Sequence, residues 1–441
     1  MSSENVPPGP SGLPLLGSTH KYFSSPLSFY EDCADEYGDV VSFTVGGNEM
    51  VLVSDPELVE TVLVRREDKL GKPDFFQDLL EGVFGRGLLT NEGEDWQTQR
   101  QMLQPLFFRE RMAEYIGIIT EYADDHIRRW DDGSAHEIHG ELGSLTLRII
   151  TDIVLGIDLE EHGVDLRGDI ENLYDRYLPQ NQLVPEWVPT RDNREYKSSL
   201  SRLNELVYER IETHRERGTD DNSMLSMVMD AGAKSDRDLS DKQIRDEVVT
   251  MILGGHETTT ALLTFGLYAL ADRPELQDSV RDEAESILSG GQPTLEDVSA
   301  FDKVERAVKE TMRLYPPSPV VLRSLRDDLR VGGYQLPEGA TAMFPQWVVH
   351  HDDRFYDDPW EFDIDRWGGE AEEDRPRYAY FPFGGGSRRC IGHSFAKVEA
   401  KLLLATFLDR CEFTLETDDL DLQGSMTLQP ANDVYLGIEK R

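Results

Sequence analysis

The sequence predicts a mainly α-helical protein with a small β-sheet region. Apolar residues recur at helical spacing over long stretches, and strand-like runs occur mainly at Val40 to Val45, Met50 to Val53 and Leu329 to Phe344. One helical pattern runs from Asp241 to Ala271, and Pro274 opens the next helix. At 1.5 Å per residue this helix would be about 46 Å long, so we expect it to cross the whole molecule.

The centre of this long helix is apolar nearly all round, which predicts burial on every side. One polar segment interrupts it, Gly254-Gly255-His256-Glu257-Thr258-Thr259. Paired glycines weaken a helix, and threonine hydroxyls compete for its backbone carbonyls. We therefore expect a local groove or kink here.

The charge balance is strongly acidic, because 85 Asp and Glu against 45 Lys and Arg give −40 at pH 7. This charge argues against nucleic acid as a partner and should destabilise a compact state in dilute buffer. The acidic residues are spread along the whole chain, and only 11 of the basic residues are lysines. This composition resembles proteins of halophilic archaea, whose molar salt shortens the Debye length to about 3 Å. An acidic protein from an ordinary cell is the alternative.

The N-terminal segment and the cysteines limit where the protein works and what it binds. Met1 to Pro10 is polar and Pro-rich, and no window approaches the roughly 18 apolar residues of a membrane span. We expect a soluble, cytoplasmic monomer without a membrane anchor. Cys33, Cys390 and Cys411 are too few and too scattered for a disulfide framework or a four-thiolate metal site. Any cysteine chemistry must therefore use a single thiolate.

Cys390 carries the strongest chemical signal. It lies in Phe383-Gly384-Gly385-Gly386-Ser387-Arg388-Arg389-Cys390-Ile391-Gly392, where three glycines allow a tight turn, and it opens a predicted helix from roughly Cys390 to Leu408. Exposed amides and the dipole at a helix N-terminus stabilise a thiolate, which can then ligate iron. Cys33 and Cys411 lack such surroundings and are interpreted as packing residues. A glycine loop around a buried, inert cysteine is the alternative.

This segment resembles the haem-binding signature of the cytochrome P450 family, with Phe383, Gly386, Arg388, Cys390 and Gly392 in place. The resemblance implies the family's fold as one domain over residues 1–441. It also implies haem b (iron protoporphyrin IX) as the cofactor, with Cys390 as the axial ligand of its iron. The implied activity is that of a haem-thiolate monooxygenase, which inserts one oxygen atom of O2 into a hydrophobic organic substrate.

The resemblance also gives the polar segment of the long helix a role. A groove at Gly255, beside the haem, would give O2 room, and Glu257 and Thr258 are the expected catalytic acid and alcohol that deliver protons during O–O cleavage. A polar kink in a core helix is the alternative.

Glu310 and Arg313, at i and i+3, place a carboxylate and a guanidinium on one helical face. In the family a similar pair is buried and joined by an arginine from a later segment, which here is Phe362-Asp363-Ile364-Asp365-Arg366-Trp367, with Trp367 replacing the usual Phe. Buried charges are tolerated only when they are paired. We therefore expect Glu310, Arg313 and Arg366 to lock the loop that precedes Cys390.

Further cations are candidates for binding the two haem propionates. Trp96 and Arg100, at i and i+4, resemble a propionate clamp of the family, and Arg388 offers another cation. Arg323, between the Pro316-Pro317 turn and the strand that follows, is a weaker candidate, for which a surface salt bridge is the alternative.

Two apolar segments predict a substrate pocket, and its substrate should therefore be apolar too. The pocket residues are Phe75, Phe76, Leu79, Leu80, Val83, Phe84, Val320, Val321 and Leu322. The Gly-His-Glu-Thr-Thr sequence resembles family branches that act on fatty acids or isoprenoid-like lipids, which makes such a lipid the expected substrate.

Electrons are expected from a separate protein, because no segment after Cys390 is long enough for a flavin or iron-sulfur module. A ferredoxin-type donor would dock on a local excess of cations, which could instead bind propionates or cap helices: Arg100, Arg109, Arg111, Arg389, Lys397 and Lys401. Two other functions stay open. A peroxygenase or haem-thiolate isomerase usually lacks the acid and alcohol pair, and a haem gas sensor needs neither proton delivery nor a substrate cavity.

Overall fold

Helices make up most of the chain in the computed structural model, which describes residues 6–14, 16–178, 184–218, 222–234, 239–424 and 426–441. The helices are α1 Thr19–Ser24, α2 Pro26–Tyr37, α3 Pro56–Glu60, α4 Asp74–Phe84, α5 Gly93–Leu103, α6 Arg109–Arg129, α7 Ile138–Leu155, α8 Arg167–Asp175, α9 Arg191–Arg217, α10 Met224–Lys234, α11 Asp241–Ala271, α12 Pro274–Leu288, α13 Leu295–Ala300, α14 Lys303–Leu314, α15 Gln346–His350, α16 Glu370–Glu373 and α17 His393–Arg410. The strands are β1 Val40–Val45, β2 Asn48–Val53, β3 Leu70–Gly71, β4 Ser134–Glu137, β5 Val321–Leu325, β6 Leu329–Val331, β7 Tyr334–Leu336, β8 Thr341–Phe344, β9 Cys411–Leu415, β10 Leu422–Gly424, β11 Leu428–Pro430 and β12 Tyr435–Lys440. The predicted fold class, mainly α with a small sheet region, is confirmed.

The chain divides into two compact units, of which the first contains the largest sheet. This unit comprises Met1–Gln77, Lys309–Cys390 and Leu422–Gln429. Its five strands run in the order β1-β2-β8-β5-β3, and β2 and β8 form the parallel pair. Successive side chains of a strand point to opposite faces, so Val51 and Val53 belong to one apolar cluster while Met50 and Leu52 belong to another. Both faces of this sheet are therefore buried.

The second unit is mainly helical and comprises Asp78–Val308, Ile391–Asp421 and Pro430–Arg441. The long helix α11 packs against α7, α9 and α17. It begins with a capping box, in which the Ser240 hydroxyl accepts from the Gln243 N–H and the Gln243 side chain accepts from the Ser240 N–H. A three-stranded sheet, in the order β4-β12-β9, belongs to the same unit.

Several predicted elements are confirmed and others are corrected. The long helix has the predicted bounds, as does β1, and β2 begins two residues earlier than predicted. The single run predicted over Leu329 to Phe344 is wrong, because Gly332 and Gly333 adopt positive φ and turn the chain between β6 and β7. Arg323 was expected before a strand but lies inside β5, which pairs with β8.

No helix of the described residues is both long enough and apolar enough to span a bilayer. The family resemblance also predicted a single domain over residues 1–441. The division into two compact units does not test this, and it stays a prediction.

Candidate active site

The loop before Cys390 is tightly turned and leaves the thiol exposed. The Cys390 N–H donates to the Phe383 carbonyl at 3.0 Å, and a short 3-10 turn, Gly386–Arg388, lies between them. The prediction that Cys390 opens the following helix is wrong, because α17 begins at His393 with Gly392 as its N-cap. The hydrogen bond to Phe383 holds the Cys390 backbone in the loop, two residues before the cap.

Gly386 shows why this loop needs glycine. Its φ is +68°, and a Cβ atom there would overlap the Leu63 carbonyl oxygen. The next residue, Ser387, donates its N–H to the Glu67 carboxylate at 2.8 Å. The loop therefore lies directly against residues 63–67, an approach that a side chain at position 386 would prevent.

The buried carboxylate of Glu310 collects charged partners from two segments. Arg313 donates from Nε and Nη2 at 2.9 and 2.8 Å, and Arg366 donates from Nε at 2.9 Å. Both Glu310 and Arg313 have 0% exposure. The structure thus brings together the three charges that the sequence singled out. Arg313 also donates to the His350 and Pro359 carbonyls at 2.9 and 2.6 Å, which ties the network to the chain leading to Cys390.

Trp367 is a member of this network that sequence reasoning missed. Its indole N–H donates to Glu310 Oε2 at 2.8 Å, and the residue is 1% exposed. A phenylalanine has no donor and could not make this bond. With the Asp363 N–H, five hydrogen bonds from the described residues end on the two Glu310 oxygens. The departure of Trp367 from the family's usual Phe was the signal that could have identified it.

Two polar residues of α15 hold the segment just before the loop. Gln346 donates to the Phe381 carbonyl at 2.8 Å, and His350 Nε2 accepts the Phe381 N–H at 3.1 Å. Burial lowers the pKa of His350 well below its ordinary value, so the ring is neutral and can accept. These side chains were not predicted. The detectable signal in the sequence was that Gln346 and His350 flank an apolar run directly after β8.

In the second unit, the centre of α11 has one open face. Gly254 is exposed within a largely buried helix, and a Cβ atom there would meet no atom of the described residues within 4 Å. A Cβ atom on Gly255 would instead approach Ile150 Cδ1 at 2.9 Å. The Thr258 hydroxyl, one turn from Gly254, donates to the Gly254 carbonyl at 2.8 Å. The open position is therefore Gly254, whereas Gly255, where the groove was expected, packs against Ile150. The helix continues through both residues.

Glu257 is 6% exposed, and the turn of α11 around it makes polar contacts with two other helices. Tyr174, in α8, donates its hydroxyl proton to the Leu253 carbonyl at 2.6 Å. Thr259, two residues after Glu257, donates to Glu399 Oε2 in α17 at 3.1 Å. Burial raises the pKa of Glu399 to about 8, so it is largely protonated at neutral pH. Neither Tyr174 nor Glu399 was singled out from the sequence.

His256 points away from the open face, into the contact with α7. Its Nδ1 lies 2.9 Å from the Thr146 hydroxyl, which is 2.6 Å from the Thr260 hydroxyl. Burial lowers the pKa of His256 to about 3. A neutral imidazole bonded to threonines packs two helices together, so His256 has a structural role.

Three consecutive charged residues of α11 hold the end of α4 and the loop that follows it. Arg245 donates to the Val83 carbonyl at 2.7 Å, and Asp246 accepts the Arg86 N–H at 2.9 Å. Glu247 accepts the Leu88 N–H at 3.0 Å. The end of a predicted pocket segment is thus fastened to the helix that carries Glu257.

The predicted pocket residues divide by burial. Leu80, Val83 and Phe84 are 0–1% exposed and pack in the core, as side chains facing an open cavity would not. The other six keep partial exposure: Phe75, Phe76, Leu79, Val320, Val321 and Leu322. Phe75, Val320 and Leu322 also pack against the sheet of the first unit. The pocket assignment stays a prediction for these six.

The predicted propionate-binding cations lie on different elements. Trp96 and Arg100 share α5, and the Arg100 guanidinium carbon lies 5.9 Å from the Trp96 ring centroid. Arg388 is half-buried in the 3-10 turn before Cys390. Arg323, in β5, donates to the Leu322 carbonyl at 2.8 Å. Their role towards a cofactor stays a prediction.

Comparison with known proteins decides the family, because the cytochrome P450 family model matches residues 7–436. The chain belongs to the cytochrome P450 family. Cyclooctat-9-en-7-ol 5-monooxygenase of Streptomyces melanosporofaciens is 32% identical over 409 residues, which cover 91% of this chain and 88% of that relative. Pentalenene oxygenase of Streptomyces avermitilis is 29% identical over 415 residues, 93% of this chain and 91% of the relative. The crystal structure of the cytochrome P450DA heme domain matches with a TM-score of 0.88 and 27% identity, and covers 99% of this chain and 98% of that chain.

Membership makes the chain a cytochrome P450 monooxygenase with haem b as its cofactor. The described residues fit this cytochrome P450 cofactor. Of the three thiols only Cys390 is exposed, whereas burial raises the pKa of Cys33 to about 12 and that of Cys411 to about 11. A deeply buried thiol with such a pKa is a poor thiolate ligand, so Cys390 is the cysteine suited to ligate iron.

Proposed function

We propose that this cytochrome P450 inserts one oxygen atom of O2 into a small hydrophobic organic substrate, with Cys390 as the axial ligand of its haem iron. The observation that carries the proposal is the exposed Cys390 thiol at the end of a loop fixed by its own hydrogen bonds to Phe383 and Glu67 and by the buried side chains of Gln346 and His350 just before it. A fixed ligand matters because hydrogen bonds and geometry around a thiolate set how much electron density it gives to the metal. When bound, haem b supplies the iron at which O2 is activated.

We further propose that Glu257 and Thr258 deliver the protons that O2 reduction consumes. The Thr258 hydroxyl donates to the carbonyl of exposed Gly254, and Glu257 is the residue directly before Thr258 in the same helix. A hydroxyl can pass on a proton that a carboxyl group supplies, so an adjacent pair can form a short relay. This pair favours a monooxygenase over a peroxygenase or an isomerase, which usually lack it, and over a gas sensor, which needs no proton delivery.

The proposed substrate is an isoprenoid-like lipid. Two relatives are named for terpenoid substrates, cyclooctat-9-en-7-ol and pentalenene, which supports this class over fatty acids. The partly exposed apolar residues of the predicted pocket, such as Phe76 and Leu79, suit a ligand without charge.

The proposed electron donor is a separate ferredoxin-type protein. Arg109 and Arg389 are exposed and Lys397 is half-buried, so these cations can face an acidic partner. The proposed docking surface does not include Lys401, because this residue is 8% exposed and its ammonium group pairs with Glu305 at 3.0 Å. Arg111 pairs with Glu114 at 2.8 Å and offers less charge than the sequence indicated.

The thiolate is tested by the absorption spectrum of the reduced, carbon monoxide-bound protein in molar KCl. Wild type should give the red-shifted band of a thiolate ligand, and Cys390→Ser should lose it. Cys33→Ser is the matched control, because Cys33 is buried in an apolar cluster and should leave the band in place. A Cys390→Ser protein with an unchanged band would refute the assignment.

The substrate class and the proton relay are tested together by turnover with a surrogate ferredoxin and its reductase. Pentalenene and a saturated fatty acid are offered separately, and oxygenated product is measured against reductant consumed. We expect product from pentalenene, and a lower ratio of product to reductant for Thr258→Ala. Oxidation of the fatty acid alone would refute the substrate class, and an unchanged ratio would refute the relay.

The docking face is tested by electron-transfer rates from the same ferredoxin. Lys397→Glu should slow the first electron transfer at low salt, whereas Lys440→Glu, in β12, serves as the charge-matched control. Equal rates for the two variants would count against docking near Lys397.

A further inference from the structure

Tyr174 lies where α8 contacts the turn of α11 that carries Glu257. It lies in the last turn of α8, and its hydroxyl donates to the Leu253 carbonyl of α11 at 2.6 Å. In a regular helix this carbonyl also accepts the N–H of the residue four positions later, which is Glu257. The Tyr174 hydroxyl therefore binds the Leu253 carbonyl, which belongs to the residue one helical turn before Glu257 in the chain.

The same geometry brings the phenol next to the Glu257 side chain. Residues four apart share one face of a helix, so a group bound at Leu253 on that face is a neighbour of Glu257. The pKa of Tyr174 agrees with this placement, because burial raises it well above its ordinary value and the charge of Glu257 raises it further. Tyr174 is thus a neutral phenol within hydrogen-bonding reach of the carboxyl group.

A neutral phenol has one proton to donate and lone pairs that accept. When that proton goes to Leu253, the Tyr174 oxygen can accept a hydrogen bond from a protonated Glu257. When Glu257 has given up its proton, the phenol can turn and donate to the carboxylate. One hydroxyl therefore serves both protonation states of the acid, and it does so without moving the backbone.

The helix that carries Tyr174 is itself anchored. The carboxylate of Asp169 in α8 accepts from Arg202 in α9, whose Nε lies 2.8 and 3.0 Å from its two oxygens and whose Nη2 also donates to it. Asn172 donates to Ser199 of α9 at 3.2 Å. The phenol is therefore presented to α11 from a fixed element, as a positioning residue must be.

We propose that Tyr174 is a positioning residue that holds the Glu257 carboxyl group in its proton-donating orientation. The inference rests on the proposed role of Glu257 as the proton source. It assigns Tyr174 no direct contact with O2 or with the substrate.

The test measures how O2 is divided between hydrogen peroxide and water when a surrogate ferredoxin, its reductase and NADPH reduce the holoenzyme without substrate. Peroxide takes two electrons and two protons per O2, whereas two waters take four of each, so poor proton delivery favours peroxide. Tyr174→Phe should raise the ratio of peroxide to water about fivefold, as expected for the loss of one hydrogen bond. Tyr115→Phe is the matched control, because Tyr115 donates to the Leu106 carbonyl at 3.2 Å and should leave the ratio unchanged.

A double-mutant cycle separates this inference from the proposed function. Glu257→Gln should raise the ratio by itself, and adding Tyr174→Phe should then have no further effect. If Glu257→Gln raises the ratio but Tyr174→Phe does not, or if the two effects multiply, the inference is wrong and the role of Glu257 stands. If Glu257→Gln leaves the ratio unchanged, the proposed acid fails and the inference falls with it. A Tyr174→Phe protein that did not fold would also contradict it, because a residue that only positions Glu257 leaves the fold intact.

Discussion

Glu399 is a carboxyl group that folding removes from water. It is 1% exposed, and the hydroxyl of Thr259 donates to one of its oxygens. Desolvation penalises the charged form, and this raises the pKa of Glu399 from the ordinary value of 4.5 to about 8. Folding therefore makes the protein take up a proton at this residue over most of the neutral range.

Glu399→Gln should remove part of the pH dependence of stability. Between pH 4.5 and about 8 the unfolded chain ionises Glu399 while the folded chain keeps it protonated, so stability falls as pH rises through this window. The slope is about 1.4 kcal/mol per pH unit for one proton. Denaturant midpoints of wild type and Glu399→Gln at pH 5, 6, 7 and 8 measure it, and parallel curves for the two proteins would contradict the expectation.

Trp367→Phe should destabilise the network around Glu310. The variant leaves a buried carboxylate oxygen without the indole donor, which costs about 1–3 kcal/mol. Trp360→Phe is the control, since Trp360 is 54% exposed and should change stability little. The free energy of unfolding and the thiolate band of the reduced, carbon monoxide-bound form should both respond in Trp367→Phe. Equal stability of the two variants would mean that the indole bond contributes nothing.

Helices and strands could be predicted from the sequence where their boundaries depend on local residues. Both ends of α11 were correct, because apolar residues fill its centre and Pro274 begins the next helix. β5 was missed because it exists through pairing with β8, where Val321 is opposite Phe344. The start of α17 was placed three residues early, since the hydrogen bond between Cys390 and Phe383 is invisible in helical periodicity.

The two glycines of α11 should respond in opposite ways to alanine. Gly254→Ala adds a methyl group in open space and should stabilise the helix by about 1 kcal/mol, while it narrows the groove and lowers turnover. Gly255→Ala forces its methyl group against Ile150, and such crowding costs about 1–3 kcal/mol. Urea unfolding in molar KCl should therefore rank Gly254→Ala above Gly255→Ala, and the reverse order would refute this description of the groove.

At the scale of the whole molecule, the net charge of −40 should make stability depend on salt. Exposed carboxylates repel one another over about 10 Å in 0.1 M salt and over about 3 Å in 1 M salt. The melting temperature should thus rise between 0.1 and 2 M KCl, even though salt also weakens exposed ion pairs. Sucrose at equal osmolality is the control, and a melting temperature that stays flat in KCl would refute the prediction. The halophilic origin inferred from composition stays a prediction.

The candidate site was predictable where one segment carries the chemistry. Cys390 and Glu257 were proposed because each lies in a distinctive run of glycines and polar residues, and their roles stay predictions. Their supporting partners were not, since Trp367, Tyr174 and Glu399 lie in other segments and look ordinary there. Those partners become recognisable only when folding has brought the segments together.

The hydrogen bonds on Glu310 also restrict the order of events during synthesis. Trp367 follows Glu310 by 57 residues, and Arg366 follows it by 56. A ribosome that has made α14 has produced a carboxylate whose later donors do not yet exist, and that group must stay hydrated. The hydrogen-bond network on Glu310 can therefore close only after residue 367 has left the exit tunnel, and the loop that precedes Cys390 becomes fixed after that point.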